Sequence, residues 1–316
     1  MEKRELVLKN LILKVRFGSH LYGTNTPESD EDFMGIFVPD AEHLIGLDKL
    51  DEVDMSVKSK DVFGKNTKDA LDFKIFSLEK FVRLALDNNP NIIDILFVNE
   101  ENIVFINDVG KQLLDLRYEF LSKNIKQRFI GYARSQKHKM VIKLDNFEKI
   151  TEAYNYISEK SDRFKFLLEL MESTHHPLFV KNKDYVIIGD INIPITSTIK
   201  KVKTILYGRI SKFGSRKELV TEYGFDTKFA SHMIRLLKEG QELLETGDLK
   251  FPLQSRELLK DIRYGKYTMN DVLALSDIIE REIEDLYKIS TILDEPNRKV
   301  ANYFVIDTHR KYILED

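Results

Sequence analysis

Residues 18–36 read GSHLYGTNTPESDEDFMGI, and the spacing inside this stretch decides what the rest of the chain has to support. Gly18-Ser19 suits a tight turn in which backbone N–H groups and a hydroxyl approach a phosphate closely. Ten residues intervene before Asp30, and Asp32 follows after one more. In an extended segment that spacing turns both carboxylates to the same face. Two anions held so close repel unless a cation lies between them. Carboxylate oxygens are hard donors and favour Mg²⁺ or Mn²⁺, and Mg²⁺ takes a few protein carboxylates together with substrate phosphates. The apolar run FMGIFV at 33–38, stopped by Pro39, has the length of a buried strand. Gly35 within it allows a neighbouring strand to pack closely. An isolated Asp-x-Asp is common in solvated loops, and Gly-Ser is commoner still. The ordered combination, G-S-x10-D-x-D followed by an apolar strand, is what carries information.

Working outward, 11–17 leads into Gly18 as a strand or helix end, and LDFKIF at 71–76 alternates like a strand. Ser77 is an N-cap for a helix carrying Leu78, Phe81, Val82 and Ala85 at i, i+3, i+4, i+7. Asn88-Asn89-Pro90 ends it. Beyond about residue 108 the pattern turns helical, with long helices expected over 124–147 and 152–172. Apolar pairs flanking Lys-Asn-Lys-Asp predict a β-hairpin within 179–195. Asp226 opens an amphipathic helix with Phe229, Ala230, Met233, Leu236 and Leu237 on its apolar stripe, closed by Gly247. Thr268 and Asp271 form a capping-box pair before a helix over 272–292. With no Pro/Gly/Ser-rich linker and no repeat, the expected division is a catalytic core at 1–108 and a mainly α-helical region at 109–316 that carries the hairpin.

A chain of 316 residues buries a sizeable core without staples. Having no cysteine, it excludes disulfides, thiolate zinc sites and cysteine nucleophiles. The net charge of −3 says nothing about a polyanionic partner, but the distribution does. Residues 28–54 hold ten acidic side chains against Lys49 alone, whereas 199–217 hold seven basic ones (Lys200, Lys201, Lys203, Arg209, Lys212, Arg216, Lys217) and no acid. An acidic pocket that needs cations, beside basic surfaces able to hold phosphates, is one reading; solvated faces are the other. No apolar run reaches the roughly 20 residues of a membrane span. MEKRELVLKN lacks the pattern of a signal peptide, so a cytoplasmic location without membrane partners is expected.

The pattern at 18–36 resembles the signature of the DNA polymerase β nucleotidyltransferase superfamily. More narrowly, the chain resembles predicted nucleotidyltransferases related to bacterial YcgL, a group also found in phages. That likeness rests on Gly18-Ser19-His20-Leu21-Tyr22-Gly23 with Ser29-Asp30-Glu31-Asp32, on Asn89-Pro90, on Gly131-Tyr132-Ala133-Arg134-Ser135-Gln136, and on Tyr223-Gly224-Phe225-Asp226-Thr227-Lys228 through His232 to Arg235. It implies an α+β fold, with a small mixed palm-like sheet, helices on one side, and a mainly helical C-terminal region. It also implies a third carboxylate on an adjacent strand. Asp72 is the best match and Asp69 the fallback. The implied reaction is in-line attack on the α-phosphate of a nucleoside triphosphate, ATP foremost. Two Mg²⁺ or Mn²⁺ ions would be held by Asp30, Asp32 and Asp72, with Gly18 and Ser19 on the β- and γ-phosphates.

Lys228, His232 and Arg235 recur at spacings of four and three, so they share a helix face that suits a triphosphate or an RNA backbone. The alternative is a solvated stripe opposite Phe229, Met233 and Leu236. Arg134, Gln136 and Lys139 are weaker candidates of the same kind. His175-His176 is read as a loop feature, and Tyr22 is given no role. The acceptor is a hydroxyl on an RNA 3′ end such as that of tRNA, on a protein, or on a small molecule. Competing readings are an antitoxin-like protein adenylyltransferase, a catalytically inactive nucleotide sensor, and a helical nucleic-acid-binding protein.

Overall fold

The computed structural model describes residues 3–27, 29–57, 71–160, 163–211, 219–220 and 222–315. Helix α1 (Lys3–Lys9) leads into β1 (Leu11–Phe17), and the one-turn helix α2 (Gly18–Tyr22) follows at once. Next come β2 (Glu31–Phe37), α3 (Ala41–Ile45), β3 (Glu52–Asp54), β4 (Leu71–Ser77), α4 (Leu78–Leu86), α5 (Pro90–Leu96) and β5 (Ile103–Ile106). The five strands form one mixed sheet in the order β3-β4-β2-β1-β5. β2 runs antiparallel to β1 and parallel to β4, and β1 and β4 carry β5 and β3 as antiparallel outer neighbours.

Alternation along β2 and β4 sorts the two faces. Phe33, Phe37, Phe73 and Ile75 are buried together with Leu6, Val7 and Leu50, and the Phe33 and Phe73 rings meet edge-on at 6.3 Å. Gly35 lies between them, where a Cβ would stand 3.2–3.3 Å from Phe73, Ile75 and Leu11. With a period of two, Asp32 and Asp72 point to the opposite face. Ser77 ends β4 and caps α4, its hydroxyl accepting from the Lys80 N–H at 3.2 Å. Pro90 does not merely stop α4. It opens α5, where its missing N–H costs nothing.

The chain divides into two compact units, 1–134 with 231–316, and 135–230. The change of sequence texture near residue 108 falls inside the first of them. Texture follows local secondary structure, whereas compactness follows tertiary contact. After α6 (Asp108–Asp115), helix α7 (Ile125–Lys160) is one helix of 36 residues, because nothing between Phe147 and Glu152 breaks it. α8 (Leu167–Thr174) begins where the Glu169 carboxylate accepts from the Lys165 and Phe166 N–H groups at 2.9 and 3.2 Å.

In the second unit the expected hairpin is a three-stranded antiparallel sheet, β6 (Val180–Asn182), β7 (Tyr185–Ile188) and β8 (Ile191–Pro194). Gly189, at φ +58°, turns the chain for the third strand, since Ile188 pairs with Ile191. Val186, Ile188 and Ile193 pack on Ile150, Ile157 and Leu170, and on Val202, Leu206 and Ile210 of α9 (Ile199–Ser211). α10 (Thr227–Thr246) starts at Asp226, whose carboxylate accepts from the Lys228 and Phe229 N–H groups, and it closes on Gly247 at φ +71°. α11 (Arg256–Arg263), α12 (Met269–Ile289) with its Thr268/Asp271 capping box, and α13 (Arg298–Glu315) complete the chain. Among the described residues no helix is long and apolar enough to cross a membrane.

Because Ser77 joins a core strand to α4, Ser77→Ala is expected to cost about 1 kcal/mol. Urea unfolding should show this as a lower midpoint with an unchanged slope.

Candidate active site

The parallel register of β2 and β4 sets Asp32 directly opposite Asp72, with neighbouring strands about 4.8 Å apart. Asp30 lies two residues before Asp32, on the same side. Glu31, between them, turns the other way and meets Arg16 at 3.4 Å. The turn ahead of Asp30 is closed locally, since the Ser29 hydroxyl accepts from the Thr26 N–H at 2.9 Å and the Ser29 N–H donates to the Thr26 carbonyl at 3.0 Å. Asp72 is exposed, while Asp30 and Asp32 are half-buried. Burial first, then the charges of Asp30 and Asp72, raise the Asp32 carboxyl from the ordinary carboxylate range to about 6. Three carboxylates therefore share one field, and it is the central one, Asp32, that becomes harder to ionise. The fallback residue, Asp69, lies outside the described residues.

Across from this cluster, Gly18 ends β1 with φ +65°. A Cβ there would overlap the Oδ2 atom of Asp32, so both the backbone conformation and the close approach require glycine. Ser19 follows in the same turn and is half-buried. The turn is closed by two backbone bonds, from the Thr24 N–H to the Ser19 carbonyl at 2.9 Å and from the Gly23 N–H to the His20 carbonyl at 3.3 Å. Gly23 takes the left-handed conformation that such a closure needs (φ +72°).

The donor set, three carboxylates on one side of the sheet, is of the hard-oxygen kind that a divalent cation such as Mg²⁺ takes. Among the described residues, no three His, Cys, Asp or Glu side chains are gathered closely enough to hold a metal ion as they stand, Asp30, Asp32 and Asp72 included.

The Lys228, His232 and Arg235 face is placed differently from the sequence expectation of one exposed cationic stripe. Lys228 is exposed at the first turn of α10, whereas Arg235 is buried, with 5% of its surface accessible. Arg235 Nη1 donates to Asp94 Oδ2 at 2.9 Å and to both Glu239 oxygens at 2.7 and 2.9 Å, and Nη2 lies 3.0 Å from His232 Nε2. The guanidinium also covers the ring of Tyr22 at 4.1 Å. Its neighbours Met233, Ile234, Leu236 and Leu237 are all buried, so α10 is enclosed on every side here and has no solvent face at Arg235. The phosphate-binding expectation for Arg235 is corrected accordingly, because its charge is engaged by two interior carboxylates.

Tyr22, which the sequence left without a role, joins the same cluster by donating its hydroxyl proton to Asp94 Oδ2 at 2.9 Å. Burial, ahead of the opposing pull of Arg235, raises both Asp94 and Glu239, and burial raises Tyr22 as well. Two signals for this cluster were present in the sequence: a lone Asp94 inside the apolar run Ile92-Ile93-Asp94-Ile95-Leu96, and Glu239 four residues after Arg235. Among the weaker candidates, Arg134 pairs with Glu280 at 2.6 Å. Gln136 is buried and Lys139 exposed. His176 lies against Tyr156 with ring centres 4.3 Å apart and planes tilted by 43°, and the preceding His175 is exposed with φ +48°.

With this geometry in place, the chain can be set beside known proteins. It is 30% identical over 298 residues to an uncharacterized 38.9 kDa protein in the nrdC-mobD intergenic region of Enterobacteria phage T4, covering 85% of this chain and 88% of the relative. A crystal structure of a nucleotidyltransferase-like protein from Exiguobacterium sibiricum 255-15 aligns with 98% of this chain and 78% of that one. The identity is 6% and the TM-score 0.26, a likeness too slight to bear on the site. The family model RlaP, described as the RNA repair pathway DNA polymerase beta family, matches residues 1–304. Matched from its first residue into its last helix, the chain belongs to that family.

Proposed function

We propose that the chain transfers a nucleoside monophosphate from a nucleoside triphosphate, ATP foremost, to the 3′ hydroxyl of an RNA, with release of pyrophosphate. The observation that carries this reading is the register that sets Asp32 beside Asp72, with Asp30 on the same side and Gly18 against Asp32. Asp30, Asp32 and Asp72 would hold Mg²⁺ or Mn²⁺, two ions in the reading preferred here. When bound, the metal offsets the charge that develops on the entering and leaving oxygens. Ser19 and the backbone at Gly18 bind and orient the β- and γ-phosphates, so that the α-phosphate faces the carboxylates. Most of the rate enhancement then comes from positioning and charge neutralisation.

An RNA acceptor is preferred over a protein or small-molecule hydroxyl because the family model is described by an RNA repair pathway. The basic face of α9 adds support. Lys200 and Lys201 are exposed there, while Ile199, Val202, Leu206 and Ile210 face the core. Exposed Lys228 and half-buried His232 stay candidate contacts for nucleotide or RNA. An antitoxin-like protein adenylyltransferase would use the same carboxylates on a different acceptor.

The deciding experiment incubates the protein with each α-labelled triphosphate, Mg²⁺ or Mn²⁺, and separate pools of tRNA, other RNA and cell protein. Label at RNA 3′ ends with stoichiometric pyrophosphate is the expected result. Label confined to protein would move the reading to protein modification. Nucleotide binding with no label anywhere would make the chain an inactive sensor.

Asp30→Asn combined with Asp32→Asn is expected to abolish turnover while leaving thermal stability equal or higher, since two repelling charges are removed. Radiolabel transfer and a thermal melt on the same sample check both halves. Salt-dependent RNA binding that survived this change without any wild-type turnover would favour a plain nucleic-acid-binding protein.

Gly18→Ala both strains a left-handed residue and pushes on Asp32. A loss of about a hundredfold or more in kcat/KM is expected, the scale that a misplacement of about 1 Å produces.

A further inference from the structure

We infer that Tyr22, held by Asp94 and Arg235, is a positioning residue that sets where Gly18 and Ser19 stand against Asp32, and through them the affinity for a triphosphate. The inference rests on the nucleotidyl-transfer reading above and adds to it residues that touch neither metal nor nucleotide.

α2 spans only Gly18–Tyr22, roughly 6 Å at 1.5 Å per residue, and an isolated helix this short does not hold itself together. Its first residue lies against Asp32 Oδ2. Its last is clamped from several sides. The Tyr22 hydroxyl donates to Asp94 Oδ2, and Arg235 donates to that same oxygen while covering the ring. Phe17 meets the ring edge-on at 5.8 Å and Phe251 lies at 6.1 Å. The Tyr22 carbonyl accepts from the Leu253 N–H at 3.3 Å, and a Cβ on Gly23 would stand 2.7 Å from Pro252. Because the Thr24 N–H is bonded to the Ser19 carbonyl, the turn moves as one piece, and a shift at Tyr22 is passed to Ser19 and Gly18.

The composition of the clamp points the same way. Two carboxylates and a phenol around one guanidinium are a poor source of stability, because apolar residues of equal volume serve as well or better. What directional hydrogen bonds add is a fixed orientation for the tyrosine.

Tyr22→Phe keeps the ring and removes the bond to Asp94, while Arg235→Lys keeps the charge and removes the planar fork. For wild type and both variants, calorimetry at 25 °C with Mg²⁺ and the α,β-methylene analogue of each of the four triphosphates gives the affinity. A thermal melt gives the stability. Wild type is expected to bind, and each folded variant to bind roughly tenfold more weakly, the scale of one hydrogen bond to a charged group.

A purely structural role lowers the melting temperature and leaves the affinity unchanged, and that result overturns the inference while the nucleotidyl-transfer reading stands. If only Tyr22→Phe fails to fold, Arg235→Lys decides. If neither variant folds, the cluster is structural and the inference is overturned. A wild-type protein that binds none of the analogues overturns both.

Discussion

A parallel pairing between strands far apart in sequence, β2 with β4, places Asp32 beside Asp72, and the site exists because that pairing holds against charge repulsion. Two carboxylates about 5 Å apart near a protein surface repel by about 3 kcal/mol at an effective dielectric constant of about 20, and Asp30 adds to the crowding. The opposing force comes from the other face of the same strands. Phe33, Phe37, Phe73 and Ile75 are buried there with Leu6 and Val7. A slip of one residue would send Asp72 into that core and bring Phe73 out, so the apolar face fixes the register. The carboxylates are thus brought together by residues that have no chemistry of their own, and burial, followed by the charges of Asp30 and Asp72, raises Asp32.

Local structure was readable wherever short-range physics sets it. The alternating run at 71–76, the Ser77 cap and the Gly247 stop all stand where propensity, periodicity and turn chemistry place them, while 11–17, which the sequence left open between a strand and a helix end, is a strand. The Asp30/Asp32 pair was legible because its two-residue spacing is a property of extended backbone. What pairs with what was not. The resemblance pointed to Asp72, but its register against Asp32 depends on a non-local contact. The third strand of the small sheet was hidden because Ile191–Pro194 is short and ends in proline. α7 was read as two helices, although Phe147, Ile150, Ala153 and Ile157 carry the apolar spacing through the join and no residue there breaks the backbone.

Arg235 shows a different limit of sequence reading. Helical spacing says which residues share a face, and Lys228, His232 and Arg235 do have the spacing of one face. It cannot say whether that face looks at solvent when the residues around it are apolar as well. Met233, Ile234, Leu236 and Leu237 enclose α10 at this level, and a cation placed there has to be matched by interior anions. Asp94 and Glu239 supply them. The lone aspartate in the apolar run Ile92-Ile93-Asp94-Ile95-Leu96 was the sign that such a match existed.

The two charged clusters of the first unit solve different physical problems. On the sheet, three like charges stand at a surface where a cation and water can reach them. In the interior, opposite charges meet within hydrogen-bond distance, Arg235 against Asp94 Oδ2 and both Glu239 oxygens. α2 touches both, with Gly18 against Asp32 at one end and Tyr22 against Asp94 and Arg235 at the other. A turn of five residues facing a repulsive surface has little stability of its own, so its geometry has to be imposed from behind. In the proposed reaction this turn holds phosphates, and preorganising such a turn requires a supporting layer whose own side chains are locked. The Tyr22 hydroxyl bonded to Asp94, with the Arg235 guanidinium over the ring and bonded to the same oxygen, has the directional contacts that such a layer needs.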